Sequence, residues 1–290
     1  MDCTKGRRNL QQEAYALKLK HRGPNVYFRG LIEISNRCSK NCLYCGIRAG
    51  NRCVERYEMS DEQVLSEAQF ALDAGYGSVA IQAGERSDSE FIEKITRLVW
   101  QIRHLQKGGN PESVMQLASE KASTLPLNNL GITLSLGEQP REVYREWKNA
   151  GATRYLLRIE TSNRELYEMI HPGFALTGNN SKDAANHSYL RRLQALHDLK
   201  SEDYLLGSGV MIGLPFQTQA HLDEDLQFLN NLGVDMVGMG PYIPHYDTPL
   251  GQIVAHWRTG APLPDNLMEL ASQPRGDFWN MSNSELLELT

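Results

Sequence analysis

A chain of 290 residues, 41% apolar and 22% charged, is long enough to bury a large core. Its net charge of −5 gives no general reason to expect nucleic acid or an anionic lipid surface as a partner. No apolar run reaches the roughly 20 residues that cross a bilayer, and the basic N-terminus lacks the apolar segment of a secretory signal. Five cysteines are an odd number for a disulfide framework, so a reducing compartment, the cytoplasm, is expected.

In chain order, residues 1–25 read as a helical lead-in. The β-rich run VYFRGLIEIS (26–35) leads directly into a loop with three cysteines, Cys38, Cys42 and Cys45. A helix follows: Ser60 and Gln63 have capping-box spacing, Val64, Leu65, Ala68, Ala71 and Leu72 form one apolar face, and Gly75 ends it. GSVAIQ (77–82) is a strand ending at AGE, and 89–105 is an amphipathic helix. The polar stretch 106–129 reads as an insertion on the face away from the chemistry. Next come a strand at 130–137, a helix with Pro140 in its first turn and Gly151 behind it, and a strand at 153–160 followed by a short helix. A second polar loop, 177–187, leads to the helix SYLRRLQALHDL. A strand at 204–215, a helix at 220–233 and a strand at 235–244 complete the pattern. Ser282 and Glu285 open a helix close to Thr290, too short to be well supported by itself.

Six strands alternate with helices, and they read as continuous apolar runs, the pattern of parallel strands covered by helices. The polar and glycine-rich signals cluster at strand ends: CxxxCxxC, QAGE, SLGE, RIET, GLP and GPYIP. A (β/α) barrel of the TIM type carries its site on that C-terminal face; a doubly wound open sheet also uses strand ends, so periodicity leaves both open. With no internal linker, 26–250 forms one barrel core, and 251–290 holds an insertion and the start of a C-terminal helix. An incomplete barrel of about six βα units, or a truncated chain, is expected.

Three thiols so close must share a partner. Iron–sulfur clusters and structural zinc both usually take four ligands, and Cys3 and Cys53 are the only spare cysteines. Three ligands would leave one iron of a 4Fe-4S cluster open; the competing reading is a zinc knuckle completed by a residue such as His245. The CxxxCxxC signature, with Tyr44 before its last cysteine, resembles that of the radical S-adenosylmethionine (SAM) superfamily. The resemblance extends over about residues 10–250. RGLIEISNRCSKNCLYCGIR, AIQAGE, ITLSLGE, RYLLRIETSN, GVMIGLP and GPYIPHYDTPL are similar to the HydE-type FeFe-hydrogenase maturases, with methylornithine synthase (PylB) and biotin synthase as relatives.

This resemblance implies one 4Fe-4S cluster held by Cys38, Cys42 and Cys45, with SAM chelating the open iron and yielding a 5′-deoxyadenosyl radical. Tyr44 would lie against the cofactor, and Gly84 and Glu85 beside the methionine amino group. Gln82 and Ser135 would hydrogen-bond cofactor or substrate. Glu160 and Arg192 would fix the ribose and the methionine carboxylate, Arg158 and Glu160 would act at the reaction centre, and Gly213, Leu214 and Pro215 would pack under the adenine. Each has a structural alternative: Glu85 as a helix-start acid, Arg158 and Glu160 as an internal ion pair, Arg192 on a solvated helix face, Ser135 as small filling, and His245 shaping a turn. Two departures stand out: Ile159 occupies a position that is usually His, and Phe216 one that is usually Gly. The implied partners are a small-molecule or iron-containing precursor, an electron donor such as a ferredoxin or flavodoxin, and other hydrogenase maturation proteins. The alternatives are a methylornithine synthase-like mutase or an inactive truncated cluster-binding protein.

Overall fold

The computed structural model of the protein describes residues 3–115, 126–172 and 187–289, with side chains from residue 10 onward. The insertion at 106–129 and the polar loop at 177–187 therefore lie partly or largely outside the described residues.

Helix α1 (Cys3–Arg22) precedes β1 (Arg29–Ser35), which runs into the cysteine loop. Then come α2 (Asp61–Asp73), β2 (Ser78–Ala83), α3 (Ser89–His104), the short α4 (Glu112–Met115), β3 (Gly131–Ser135), α5 (Arg141–Ala150), β4 (Arg154–Leu156) and α6 (Arg164–Ile170). After the second undescribed stretch follow α7 (Tyr189–Ser201), β5 (Leu205–Ser208), β6 (Met211–Ile212), α8 (Gln219–Leu232), β7 (Met236–Val237), β8 (Gly240–Pro241), α9 (Pro249–Thr259), α10 (Asp265–Ala271) and α11 (Asn283–Leu289). The strands form a parallel six-stranded sheet in the order β1-β2-β3-β4-β5-β7, open between its ends, with β6 and β8 pairing separately. This is the expected incomplete barrel. No described helix is long and apolar enough to cross a membrane.

Local chemistry explains most element boundaries. The capping box opens α2: Ser60 Oγ accepts from Gln63 N–H, and the Gln63 side chain accepts from Ser60 N–H at 2.9 Å. Val64, Leu65, Ala68 and Ala71 are buried in one core cluster with Ile32, Ile34, Val79 and Ile81. Gly151 (φ 124°) and Gly233 (φ 62°) end α5 and α8.

Five expected elements need correction. β1 is buried on one face only: Ile32 and Ile34 pack against the core, whereas Leu31 is 60% exposed and Glu33 lies open, because nothing described covers that face. The strand expected at 153–160 is paired only over Arg154–Leu156; the chain then bends to Glu160, at φ 67°, which bridges Val210. The last two expected strands are each split. A Cβ on Gly209 would lie 1.7 Å from the Gly238 carbonyl oxygen, so the two chains touch there and the ladder restarts as β6–β8. The terminal helix α11 is docked rather than unsupported. Ser282 and Glu285 close a capping box, and Leu286 is buried with Ile212, Leu222 and Phe278, so packing supplies what length does not.

Candidate functional site

The three cysteines occupy the loop after β1. Cys42 is buried, Cys38 and Cys45 are half-buried, and Cys53 is exposed. The loop is tied on both sides: Leu43 N–H donates to the Ile170 carbonyl at 3.0 Å, and Leu250 N–H to the Leu43 carbonyl at 3.1 Å. Cys38 Sγ accepts from the backbone N–H of Lys40 (3.4 Å) and of Glu85 (3.3 Å). Burial raises all three thiols, Cys42 to about 12, and each of the other two adds to the repulsion that a Cys42 thiolate would meet. A soft cation placed among them reverses that penalty, because thiolates are its preferred donors. Three thiols on one loop, with Cys42 and Cys45 at the two ends of a single turn closed by a 3.2 Å hydrogen bond, fit a multi-iron cluster that all three would hold. Among the described residues no three His, Cys, Asp or Glu side chains are arranged around a single metal ion, and His245 lies against Gly46, its ring 3.1 Å from where a Cβ would stand.

Gly84 explains how the loop meets the sheet. A Cβ there would stand 2.3 Å from the Arg37 carbonyl oxygen and 2.7 Å from Cys38 Cβ, so only glycine lets β2 end against the cysteine loop. Glu85 is not a helix-start residue: α3 begins at Ser89 with Asp88 as its N-cap. Its carboxylate is buried, 3.1 Å from Lys40 Nζ, and accepts Glu138 N–H at 2.9 Å.

Gln82 and Ser135 are register partners in β2 and β3, and the residues three positions on, Glu85 and Glu138, therefore end neighbouring strands side by side. Glu138 is 1% exposed and bonds Lys40 Nζ at 3.0 Å and Arg192 Nε. Arg192 lies on the buried face of α7, not on a solvated one, and its Nη1 donates to the Arg158 carbonyl at 2.5 Å. A buried quartet of two acids and two bases thus joins the cysteine loop to the ends of β2, β3 and β4. Burial opposes ionisation of Glu138, but Arg192 and Lys40 outweigh it and hold the carboxyl below its usual range. Burial raises Glu85, and Lys40 only partly offsets that.

Arg158 and Glu160 form the internal ion pair, at 3.2 Å, and Arg158 Nη2 also donates to the Val210 carbonyl at 2.7 Å. Burial raises the Glu160 carboxyl against the pull of Arg158 and Arg192. The unusual backbone at Glu160 is locked from behind: buried Asp225 accepts from Ser162 N–H (2.5 Å), Ser162 Oγ (2.7 Å) and Thr161 Oγ1 (3.3 Å). Tyr44 meets His171 edge-on at 5.5 Å, with its hydroxyl 3.4 Å from Nε2. His171 Nδ1 is 2.8 Å from the Tyr167 carbonyl, which can only accept, so Nδ1 carries the proton and Nε2 accepts from Tyr44. Gln82 is half-buried and donates to Glu33 at 3.2 Å on the open face; Ser135 is half-buried at the end of β3. Gly213 (φ 93°) and Leu214 direct their N–H groups at Gln217 Oε1, at 2.7 and 3.3 Å. Leu214 packs in one cluster with Leu43 and Phe216, the latter edge-on to Trp257 at 5.6 Å; Pro215 is buried beside them.

The structure thus brings Cys42, Tyr44, Glu85 and Arg192 around one centre, with Leu214 behind the loop, whereas Gln82 and Ser135 sit along the open sheet face. Lys40, Glu138, His171 and Asp225 are members of this centre that sequence reasoning missed. For Glu138 a signal was present: Gly84-Glu85 and Gly137-Glu138 are the same dipeptide at the ends of adjacent strands.

A parallel βα sheet with a CxxxCxxC loop at its C-terminal edge defines a class, and residues 32–229 match the radical SAM superfamily; the chain belongs to that family of enzymes. More particularly, it is 38% identical over 234 residues to the FeFe-hydrogenase maturase subunit HydE of Thermotoga maritima, covering 81% of this chain and 57% of that protein. It is 25% identical over 209 residues to a biotin synthase of Magnetococcus marinus, covering 71% of this chain and 54% of that protein. The crystal structure of methylornithine synthase (PylB) superposes with a TM-score of 0.67 over 93% of this chain and 70% of the other, at 20% identity, a likeness of fold. The chain spans about half the length of the curated relatives it matches.

Proposed function

We propose that this chain is a radical SAM enzyme acting in maturation of the FeFe-hydrogenase active site. The observation that carries the reading is the trio Cys38, Cys42 and Cys45 on one loop clamped to a buried charge quartet; the 38% identity to HydE supports the pathway. A bound 4Fe-4S cluster with SAM supplies one-electron cleavage of a sulfonium and radical chemistry. In this reading the residues of the chain do the rest. The three thiolates hold the cluster, and Glu85 and Arg192 offer a carboxylate and a guanidinium to an amino-acid head group. Glu160, paired with Arg158, faces the ribose, and Gly213, Leu214 and Pro215 give the adenine an apolar support. Tyr44, closed against His171, shields the loop from water. Gln82 and Ser135 on the open face contact substrate, a small or iron-containing molecule, and a ferredoxin or flavodoxin supplies the electron. A reducing cytoplasm suits exposed and half-buried free thiols.

The test is anaerobic reconstitution with iron and sulfide, followed by electron paramagnetic resonance of the reduced protein with and without SAM. A cluster signal that shifts with SAM, together with 5′-deoxyadenosine release, supports the reading. Bound zinc, or a signal indifferent to SAM, overturns it. Conversion of lysine to methylornithine would move the substrate assignment away from hydrogenase maturation.

A further inference from the structure

Arg56 belongs to none of the motifs above, yet its guanidinium turns back into the cysteine loop. Nη1 donates to the carbonyls of Asn36 (2.6 Å) and Ile47 (2.8 Å), and Nη2 to those of Arg48 (2.8 Å) and Asn51 (3.1 Å). Asn36 precedes Cys38, and the other three acceptors follow Cys45. One planar group therefore staples the two flanks of the loop together. The segment that carries Arg56 is itself fixed to Asn36: Asn36 Nδ2 donates to the Glu55 carbonyl at 2.7 Å, and Tyr57 N–H donates to Asn36 Oδ1 at 2.9 Å. Asn51 Nδ2 in turn bonds the Gly46 carbonyl, next to Cys45, at 2.7 Å. All four acceptors of Arg56 are main-chain carbonyls, so the arrangement fixes backbone shape rather than pairing a charge. A guanidinium suits this task because its donors are fixed in one plane, whereas a lysine ammonium is a single point.

We propose that Arg56 is a positioning residue that pre-shapes the cysteine loop to receive its cluster. This deepens the function proposed above and rests on the reading of Cys38, Cys42 and Cys45 as ligands. The reason is entropic. Three thiols on an irregular loop must adopt one mutual arrangement, and every residue left to order on binding subtracts from affinity. Partners just outside a metal's ligands commonly change affinity by about 10- to 100-fold.

The experiment compares wild type with Arg56→Met, Arg56→Lys and Arg56→Ala after anaerobic reconstitution, reading iron and sulfide per chain and the rate at which a strong chelator strips the cluster. In parallel, the cluster-free proteins are alkylated with iodoacetamide, and labelling of Cys38, Cys42 and Cys45 is measured relative to exposed Cys53. With circular dichroism unchanged, R56M should lose its cluster about tenfold faster and label faster at the three loop cysteines. R56K should fall between, and millimolar ethylguanidinium should partly restore R56A. If R56M fails to fold, R56K decides on the same two readouts. Wild-type loading, stripping rate and labelling ratio in R56M and R56K overturn the proposal. A wild type that takes up no cluster overturns the ligand reading instead, and the labelling ratio still decides whether Arg56 orders the loop.

Discussion

Lys40, inside the cysteine loop, and Glu138, at the end of the third strand, meet at 3.0 Å with side chains only 4% and 1% exposed. The same ammonium lies 3.1 Å from Glu85. One cation thus keeps two adjacent buried carboxylates compatible, and the loop is bound to the barrel through it.

Removing that cation leaves Glu85 and Glu138 against each other, with buried Arg192 and the more exposed Arg191, 3.6 Å from Glu138, to offset them. Lys40→Met should cost about 3–5 kcal/mol of stability, the usual result of breaking a buried pair from one side. Adding Glu138→Gln should return part of the loss. Denaturant unfolding of the two single variants and the double variant measures the coupling, and purely additive losses would contradict the shared network.

Glu160 sits at φ 67°, a conformation that costs an L-residue roughly 1–2 kcal/mol and glycine nothing. Glu160→Gly should therefore be more stable than Glu160→Ala by about 1 kcal/mol, the reverse of the usual ranking. Both lack the carboxylate, so their unfolding midpoints isolate the backbone effect. Both should bind SAM poorly.

Gly84→Ala introduces a Cβ that would stand 2.3 Å from the Arg37 oxygen and 2.7 Å from Cys38 Cβ. Neither neighbour is the end of a flexible side chain, so the cysteine loop must move. Iron content after reconstitution should fall to a small fraction of wild type. Near-normal loading would mean that the loop tolerates the displacement.

His171 is buried near Arg192 and Lys40, and burial first, then those cations, hold it neutral far below the usual 6.5, against the pull of the Tyr167 carbonyl. The unfolded chain takes up the proton near 6.5 and the folded chain does not. Stability is therefore full above that value and declines as pH falls below it, by up to about 1.4 kcal/mol per pH unit. Denaturant midpoints between pH 7.5 and 5.5 should show this slope, and His171→Asn should flatten it.

What could be read in advance was whatever neighbours in sequence determine. Ser60 and Gln63 announce α2 because the capping box closes within one turn, and Ser282 with Glu285 announces α11 in the same way. The CxxxCxxC loop was legible because its three thiols lie within eight positions. The break between β5 and β6 was not, since it arises where Gly209 meets Gly238 from another strand. Arg192 could be placed on a helix but not on its buried face, because its acceptor Glu138 is 54 positions away. Lys40 reads as an ordinary loop cation until Glu138, 98 positions on, comes beside it. Asp225 resembles any acid on an amphipathic helix, and only the fold sets it behind Ser162.

The quartet of Lys40, Glu85, Glu138 and Arg192 carries two positive and two negative charges. An amino-acid head group arrives with one charge of each sign, so it can exchange partners within this set while the total stays at zero. Counter-ions from solution are then neither taken up nor released. Affinity for such a zwitterion should hardly change with ionic strength, whereas an analogue lacking its amino or its carboxylate group would bind with a marked dependence on salt.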